Sequence, residues 1–269
     1  MTHLSGTAID EARASGRAAL IGYLPVGYPD VATSVAAAKE LVAGGADVIE
    51  LGLPYTDPLM DGPVIQHAVD AALRAGTRTR DVLSAVEQVA GTGVPALVMS
   101  YWNPVDRYGV RRFARDLASV GGAGVITPDL IPDEGEDWLS ASDDAGIERI
   151  FLVAPSSTPE RLRTTAAACR GWVYAASTMG VTGVRTSVGT GAADLVSRTR
   201  AAGAGRVCVG LGVSTRAQAA EVASFADGVI VGSAFVRALT GASDRGAALR
   251  AVRDLAEDLA AGVREGRPA

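Results

Sequence analysis

Between Glu50 and Pro63 the chain sets three carboxylates, three prolines and two glycines within fourteen residues. The approach, Ala46 to Ile49, is largely apolar, so Glu50 closes what reads as a buried strand, and Asp57 and Asp61 follow in a turn-rich stretch. A strand covered on both faces reads as a continuous apolar run, so a carboxylate inside one needs a reason. General acid or base work is such a reason, and two carboxyls in different surroundings can divide it, one donating a proton and the other staying ionised. A Glu at a solvated strand end, with acids in a turn, is the plain structural alternative.

A second group lies late in the chain. Gly180 and Gly183 follow a sixth apolar run, Gly210 and Gly212 a seventh, and Gly232 with Ser233 follow an eighth and open a helical pattern. Glycines at such exits let backbone amides approach an anion, and a helix N-terminus adds its positive dipole end. A phosphate can therefore be held without a lysine cluster, which suits a chain whose one Lys is Lys39. Tyr101, Asn103 and Asp129 also fall at strand exits, although Asn-Pro and Pro-Asp are equally ordinary turn chemistry.

The elements that would position these residues repeat in one rhythm. Short apolar runs at Ala18–Leu24, Val48–Leu53, Ala96–Ser100, Gly124–Ile126, Arg149–Val153, Trp172–Ala176, Arg206–Gly210 and Gly228–Val231 alternate with helical patterns such as Ser34–Val42, Gln66–Arg74, Val110–Leu117 and Arg216–Ala223. Strands separated by helix-length crossovers run parallel, and eight such units close a (β/α)8 TIM barrel. The residues with chemistry then all fall at the carboxyl ends of strands, where barrel active sites are built. Asp30 and Ser214 read as helix caps. No linker, charge block or low-complexity tract divides the 269 residues, so residues 1–269 are expected to form a single domain. A doubly wound open sheet would usually carry GxGxxG after its first strand, and here that turn is Pro25-Val-Gly-Tyr-Pro-Asp30.

The net charge of −5 leaves no basic footprint for nucleic acid or an anionic membrane. Cys169 and Cys208 have no CxxC or histidine partner at metal-ligand spacing, so no metal site is expected. Neither a signal peptide nor a membrane-spanning run is legible, and a soluble cytoplasmic protein is expected.

Several segments, in order, resemble one known family. Glu50-Leu-Gly-x-Pro with Asp57-Pro and Asp61-Gly-Pro, Tyr101-x-Asn-Pro with Tyr108-Gly, Pro128-Asp-Leu, Ser177-x-x-Gly-Val-Thr-Gly183 and Ala226-Asp-Gly-Val-Ile-Val-Gly-Ser233 are similar to the signature segments of the tryptophan synthase alpha subunit, over roughly Ala19 to Leu239. The resemblance implies a lyase that cleaves indole-3-glycerol phosphate by a retro-aldol step into indole and glyceraldehyde 3-phosphate. It also implies a beta subunit that carries pyridoxal phosphate and receives the indole through a tunnel, in an alpha-beta-beta-alpha assembly. No cofactor is implied in this chain.

Carried over by position, Glu50 would serve the ring carbon and a glycerol hydroxyl, and Asp61 would accept from the indole nitrogen. Gly183, Gly212, Gly232 and Ser233 would bind the phosphate, and Tyr174 and Thr182 would shape and close the pocket. Asp57, Tyr101, Asn103 and Tyr108 would face the beta partner. Tyr55, Thr56 and Met60 stand where many relatives carry Phe, Ser and Ala, and Thr178 where some carry Arg, with Arg185 nearby. Other readings of the chain are a stand-alone indole-releasing lyase, a silent barrel that only activates a partner, and another sugar-phosphate barrel enzyme. A Schiff-base aldolase would want a strand-end lysine, and Lys39 lies in a helical pattern.

Overall fold

Eight parallel strands close into a barrel: β1 (Ala19–Pro25), β2 (Val48–Gly52), β3 (Ala96–Met99), β4 (Gly124–Thr127), β5 (Glu148–Val153), β6 (Val173–Ala176), β7 (Val207–Gly210) and β8 (Gly228–Val231), with β8 returning to pair with β1. The computed structural model describes residues 4–176, 190–210 and 212–266. Around the strands run α1 (Ser5–Ala14), α2 (Val31–Ala43), α3 (Pro63–Arg74), α4 (Thr79–Ala90), α5 (Trp102–Tyr108), α6 (Val110–Ser119), α7 (Glu136–Ala145), α8 (Pro159–Ala168), α9 (Thr190–Ala201), α10 (Arg216–Ala223), α11 (Ser233–Thr240) and α12 (Arg245–Glu265). This is the (β/α)8 architecture expected from the alternating runs.

Period-two alternation sorts the strand residues into two layers. Leu20, Leu24, Ile49, Leu51, Val98, Val125, Phe151, Val173, Val209 and Val229 face outward and pack under the helices. Their neighbours Ala19, Ile21, Val48, Leu97, Ile126, Ile150, Cys208 and Ile230 fill the interior, so the barrel is a packed core below its mouth. Because Ile49 and Leu51 both point outward, the residue between them, Glu50, points into the barrel.

The lower, amino-terminal end is closed by α1. Ile9 and Ala12 insert into the interior cluster, and Glu148, the first residue of β5, accepts from the backbone N–H groups of Ser5 and Gly6, each at 2.9 Å. A buried carboxylate thus meets the helix N-terminus, where unpaired amides and the positive dipole end favour an anion. Burial pushes the Glu148 carboxyl up, while the Ser5 and Gly6 hydrogen bonds pull it back down.

The structure departs from the sequence expectations in detail. The crossover from β2 to β3 carries two helices, α3 and α4, and α1 precedes the first strand. Asn103-Pro104, where turn chemistry was one reading, lies in the first turn of α5, and Asp129 at the next strand exit accepts from the Trp102 N–H at 2.8 Å at its start. Ser214 is not the α10 cap. Thr215 is, its hydroxyl accepting from Gln218 N–H at 3.3 Å, while the Ser214 N–H bonds to the Gln218 side chain. Asp30 caps α2 as expected, accepting from Thr33 N–H at 2.8 Å. Lys39 is exposed on α2, and Cys208 is buried in the barrel interior. No described helix is long and apolar enough to cross a membrane.

Candidate active site

A cavity of about 710 Å³, counting space open to solvent, lies in the barrel mouth, and both Glu50 and Asp61 line it. Its remaining wall is mostly Tyr23, Met99, Leu152, Tyr174 and Ile230, with Gly210, Gly212, Gly232 and Ser233 along one side. An apolar wall with a few convergent polar groups is the usual character of sites for small organic ligands.

Glu50 is fully buried, and neither carboxylate oxygen has a hydrogen-bond partner among the described residues. In the register it stands between Tyr23 on β1 and Leu97 on β3. Loss of solvation raises its pKa to about 8, so at neutral pH the group is protonated and able to give its proton away. Asp61 lies just before α3, whose cap is Gly62, and the Gln66 side chain clamps its backbone carbonyl at 2.7 Å. Burial raises the Asp61 pKa to about 6, and a hydrogen bond from the Tyr101 hydroxyl works in the opposite direction. At pH 7 the pair is therefore one neutral acid and one carboxylate, aimed into the same space.

Tyr101 turns inward at the β3 exit. Only 6% of it is exposed, and its hydroxyl accepts from the Met60 N–H at 2.9 Å on the Asp61 loop. Burial, with the Asp61 charge beside it, raises the phenol to about 12, so it remains a donor. Asp57 and Asn103 are exposed, the latter donating to the Tyr55 hydroxyl at 3.3 Å. Tyr108 is half-buried and donates to Asp116 at 2.7 Å, with the Arg112 guanidinium over its ring.

Backbone fills the opposite side. Gly212 has φ +69°, left-handed geometry that favours glycine, and a side chain at Gly232 would place Cβ 3.0 Å from Tyr23 Cδ1. Gly232 caps α11 without a side-chain hydrogen bond, whereas Asp30, Thr158, Thr215 and Asp244 each cap their helices with one. With no side-chain acceptor at the cap, the first turn of α11, with Ser233 on the cavity wall, is open to an external anion. Thr182 and Gly183 lie outside the described residues, as do Ser177, Thr178, Gly180 and Arg185.

Among known families, the model for tryptophan synthase alpha chains matches residues 9–264. The chain belongs to the tryptophan synthase alpha chain family. The alpha chain of Thermobifida fusca is 62% identical over 257 residues, covering 94% of this chain and 95% of that one. That of Mycobacterium marinum is also 62% identical, covering 97% and 94% respectively. A solved structure of Mycobacterium tuberculosis tryptophan synthase matches with a TM-score of 0.91 at 59% identity, over 97% of this chain and 99% of that one.

Sequence reasoning about this alpha chain missed Tyr23, Met99, Leu152 and Ile230 as cavity wall. Their signal was phase: each lies on the same alternation as an interior residue two positions earlier, Ile21, Leu97, Ile150 and Gly228. Tyr23 and Tyr174 need glycine neighbours besides. A methyl at Gly52 or Gly210 would collide with the hydroxyl ends of Tyr23 and Tyr174 respectively.

Proposed function

We propose that this chain cleaves indole-3-glycerol phosphate to indole and glyceraldehyde 3-phosphate by a retro-aldol step, with residues 1–269 acting as one domain. The supporting observation is a fully buried carboxyl without partners, Glu50, sharing a cavity with a less buried one, Asp61. Protonated Glu50 gives its proton to the ring carbon that carries the glycerol chain, while Asp61 takes the proton from the ring nitrogen. Glu50, now ionised, accepts the proton of the adjacent glycerol hydroxyl, and the carbon–carbon bond breaks to leave an aldehyde. Asp61 then returns its proton to nitrogen as the free indole forms. Each carboxyl ends as it began.

The phosphate is assigned to the open N-terminus of α11 with Gly212, Gly232 and Ser233, Gly183 is assigned to the same subsite, and Thr182 is assigned to closing the pocket. The apolar wall with Tyr174 is assigned to the aromatic half. A beta subunit is the proposed partner, in an alpha-beta-beta-alpha assembly, with pyridoxal phosphate on that subunit. Support comes from the face around Asp57 and Asn103, where Leu59 is 73% exposed on the Asp61 loop. Lys39, the only lysine, lies outside the cavity lining, which fits a cofactor held by the partner.

Steady-state indole formation from indole-3-glycerol phosphate, with and without a purified beta subunit, tests the proposal. Formation that rises on adding the partner is the expected result. No indole under either condition would refute the reaction, and equal rates would refute the partnership.

A further inference from the structure

A column of contacts runs up the barrel axis from its floor to the cavity. Ser5 at the start of α1 donates its hydroxyl to Glu148 at 2.5 Å and accepts from Trp172 Nε1 at 2.9 Å. The Ser5 hydroxyl has one proton, which it gives to Glu148, and a lone pair is left for the indole N–H. Trp172 is 1% exposed and is not part of the cavity lining. Its ring lies under that of Tyr174, with centroids 5.8 Å apart and planes at 28°. Tyr174 lines the cavity, fitted beside the bare backbone of Gly210.

We propose that Trp172 is a positioning residue for the aromatic half of the ligand: anchored from below by Ser5, it sets the height and tilt of the Tyr174 ring. The inference rests on the substrate assignment above and extends it to the opposite end of the barrel. Physical support comes from the geometry of each link. Two stacked rings constrain one another's tilt, and the lower one is fixed by a directional hydrogen bond to a different element. Trp138 offers a contrast: it is equally buried, but it lies in the outer layer and its Nε1 has no partner among the described residues. Burial of an indole in this fold therefore does not by itself require an anchored N–H. The anchored one sits beneath the cavity wall.

The test uses the complex with its beta subunit and four variants. Trp172→Leu removes ring and anchor, Trp172→Phe keeps a ring without the anchor, Ser5→Ala keeps the whole indole but removes the anchor along with the hydroxyl's bond to Glu148, and Trp138→Leu is the control. Trp172→Leu should raise KM about fivefold with kcat within about twofold of the parent, because a misplaced wall weakens binding without touching the acids. Trp172→Phe, which keeps a ring but has no N–H for Ser5, and Ser5→Ala should each raise KM about threefold, and Trp138→Leu should leave it unchanged. Should Trp172→Leu fail to fold, Ser5→Ala decides. Calorimetric affinity for 3-phenylpropyl phosphate, an unreactive aromatic phosphate, should weaken in the same order and by similar factors. That readout holds even if the parent forms no indole, an outcome that would overturn the reaction and not the column. An unchanged affinity in Ser5→Ala and Trp172→Leu, or an equal loss in Trp138→Leu, would overturn the positioning role.

Discussion

Glu50 and Asp61 carry the same chemical group, and only their surroundings separate them. With values of about 8 and about 6, kcat/KM should follow a bell between those limits, rising as Asp61 ionises and falling as Glu50 does. Tyr101→Phe removes the hydrogen bond that lowers the Asp61 value, so the acid limb of that profile should move to higher pH. Glu50→Gln keeps the shape and loses the proton, and turnover should fall at least about a hundredfold with little change in phosphate affinity. Near-normal indole release from that variant would remove Glu50 from the mechanism. The same substitution should stabilise the fold in a pH-dependent way. Because the folded carboxyl titrates near 8 and an unfolded one near 4.5, the native state holds an extra proton between those values, and stability falls as pH rises through that window. Glu50→Gln should therefore melt at nearly the parent temperature at pH 4 and several degrees higher at pH 8 to 9, measured by calorimetry.

Among the elements, α11 is one that starts on the cavity wall with a glycine at its cap and no side-chain acceptor there. The other helices capped by a side chain satisfy their first turn internally, and Gly232 cannot. Adding a methyl at Gly232 crowds Tyr23 Cδ1 at 3.0 Å and narrows the approach to the helix N-terminus. Gly232→Ala should raise KM and weaken inorganic phosphate binding, with kcat much less affected, since the contact is made in ground and transition states alike. An unchanged KM would remove the phosphate from this helix. Asp30→Ala, at the other kind of helix start, should cost about 1 kcal/mol of stability and leave KM alone.

At the scale of the molecule, the barrel has a reactive end and a fastened end. The floor is held where Glu148 meets α1 and where buried Asp227 pairs with Arg200 at 3.0 Å. Glu148→Ala leaves the Ser5 and Gly6 amides and the Ser5 hydroxyl without their acceptor in a buried place, which should cost about 2–4 kcal/mol in a denaturant melt. A loss below about 0.5 kcal/mol would show that α1 is held without Glu148, by Ile9 and Ala12 and by the Asp10–Arg206 and Arg13–Asp227 pairs.

The sequence by itself determined the barrel, the order of its strands and the two acids, because alternating apolar runs at helix-length spacing admit few closures and a carboxylate inside an apolar run is conspicuous. It also marked the glycines at the β7 and β8 exits, Gly210, Gly212 and Gly232, which lie on the cavity wall. What it left undecided depended on which residues meet across the barrel. Tyr101 read as a residue at a strand exit, but which group it would meet there was not legible, and its hydroxyl turns onto the Asp61 loop. Tyr23 and Leu152 lie in ordinary apolar runs, and only closure of the sheet brings them to one cavity. The split between about 8 and about 6 is likewise tertiary, because a pKa follows the solvent and donors that packing removes or supplies. The link from Ser5 to Trp172 joins residues 167 positions apart, and no local pattern encodes such a contact.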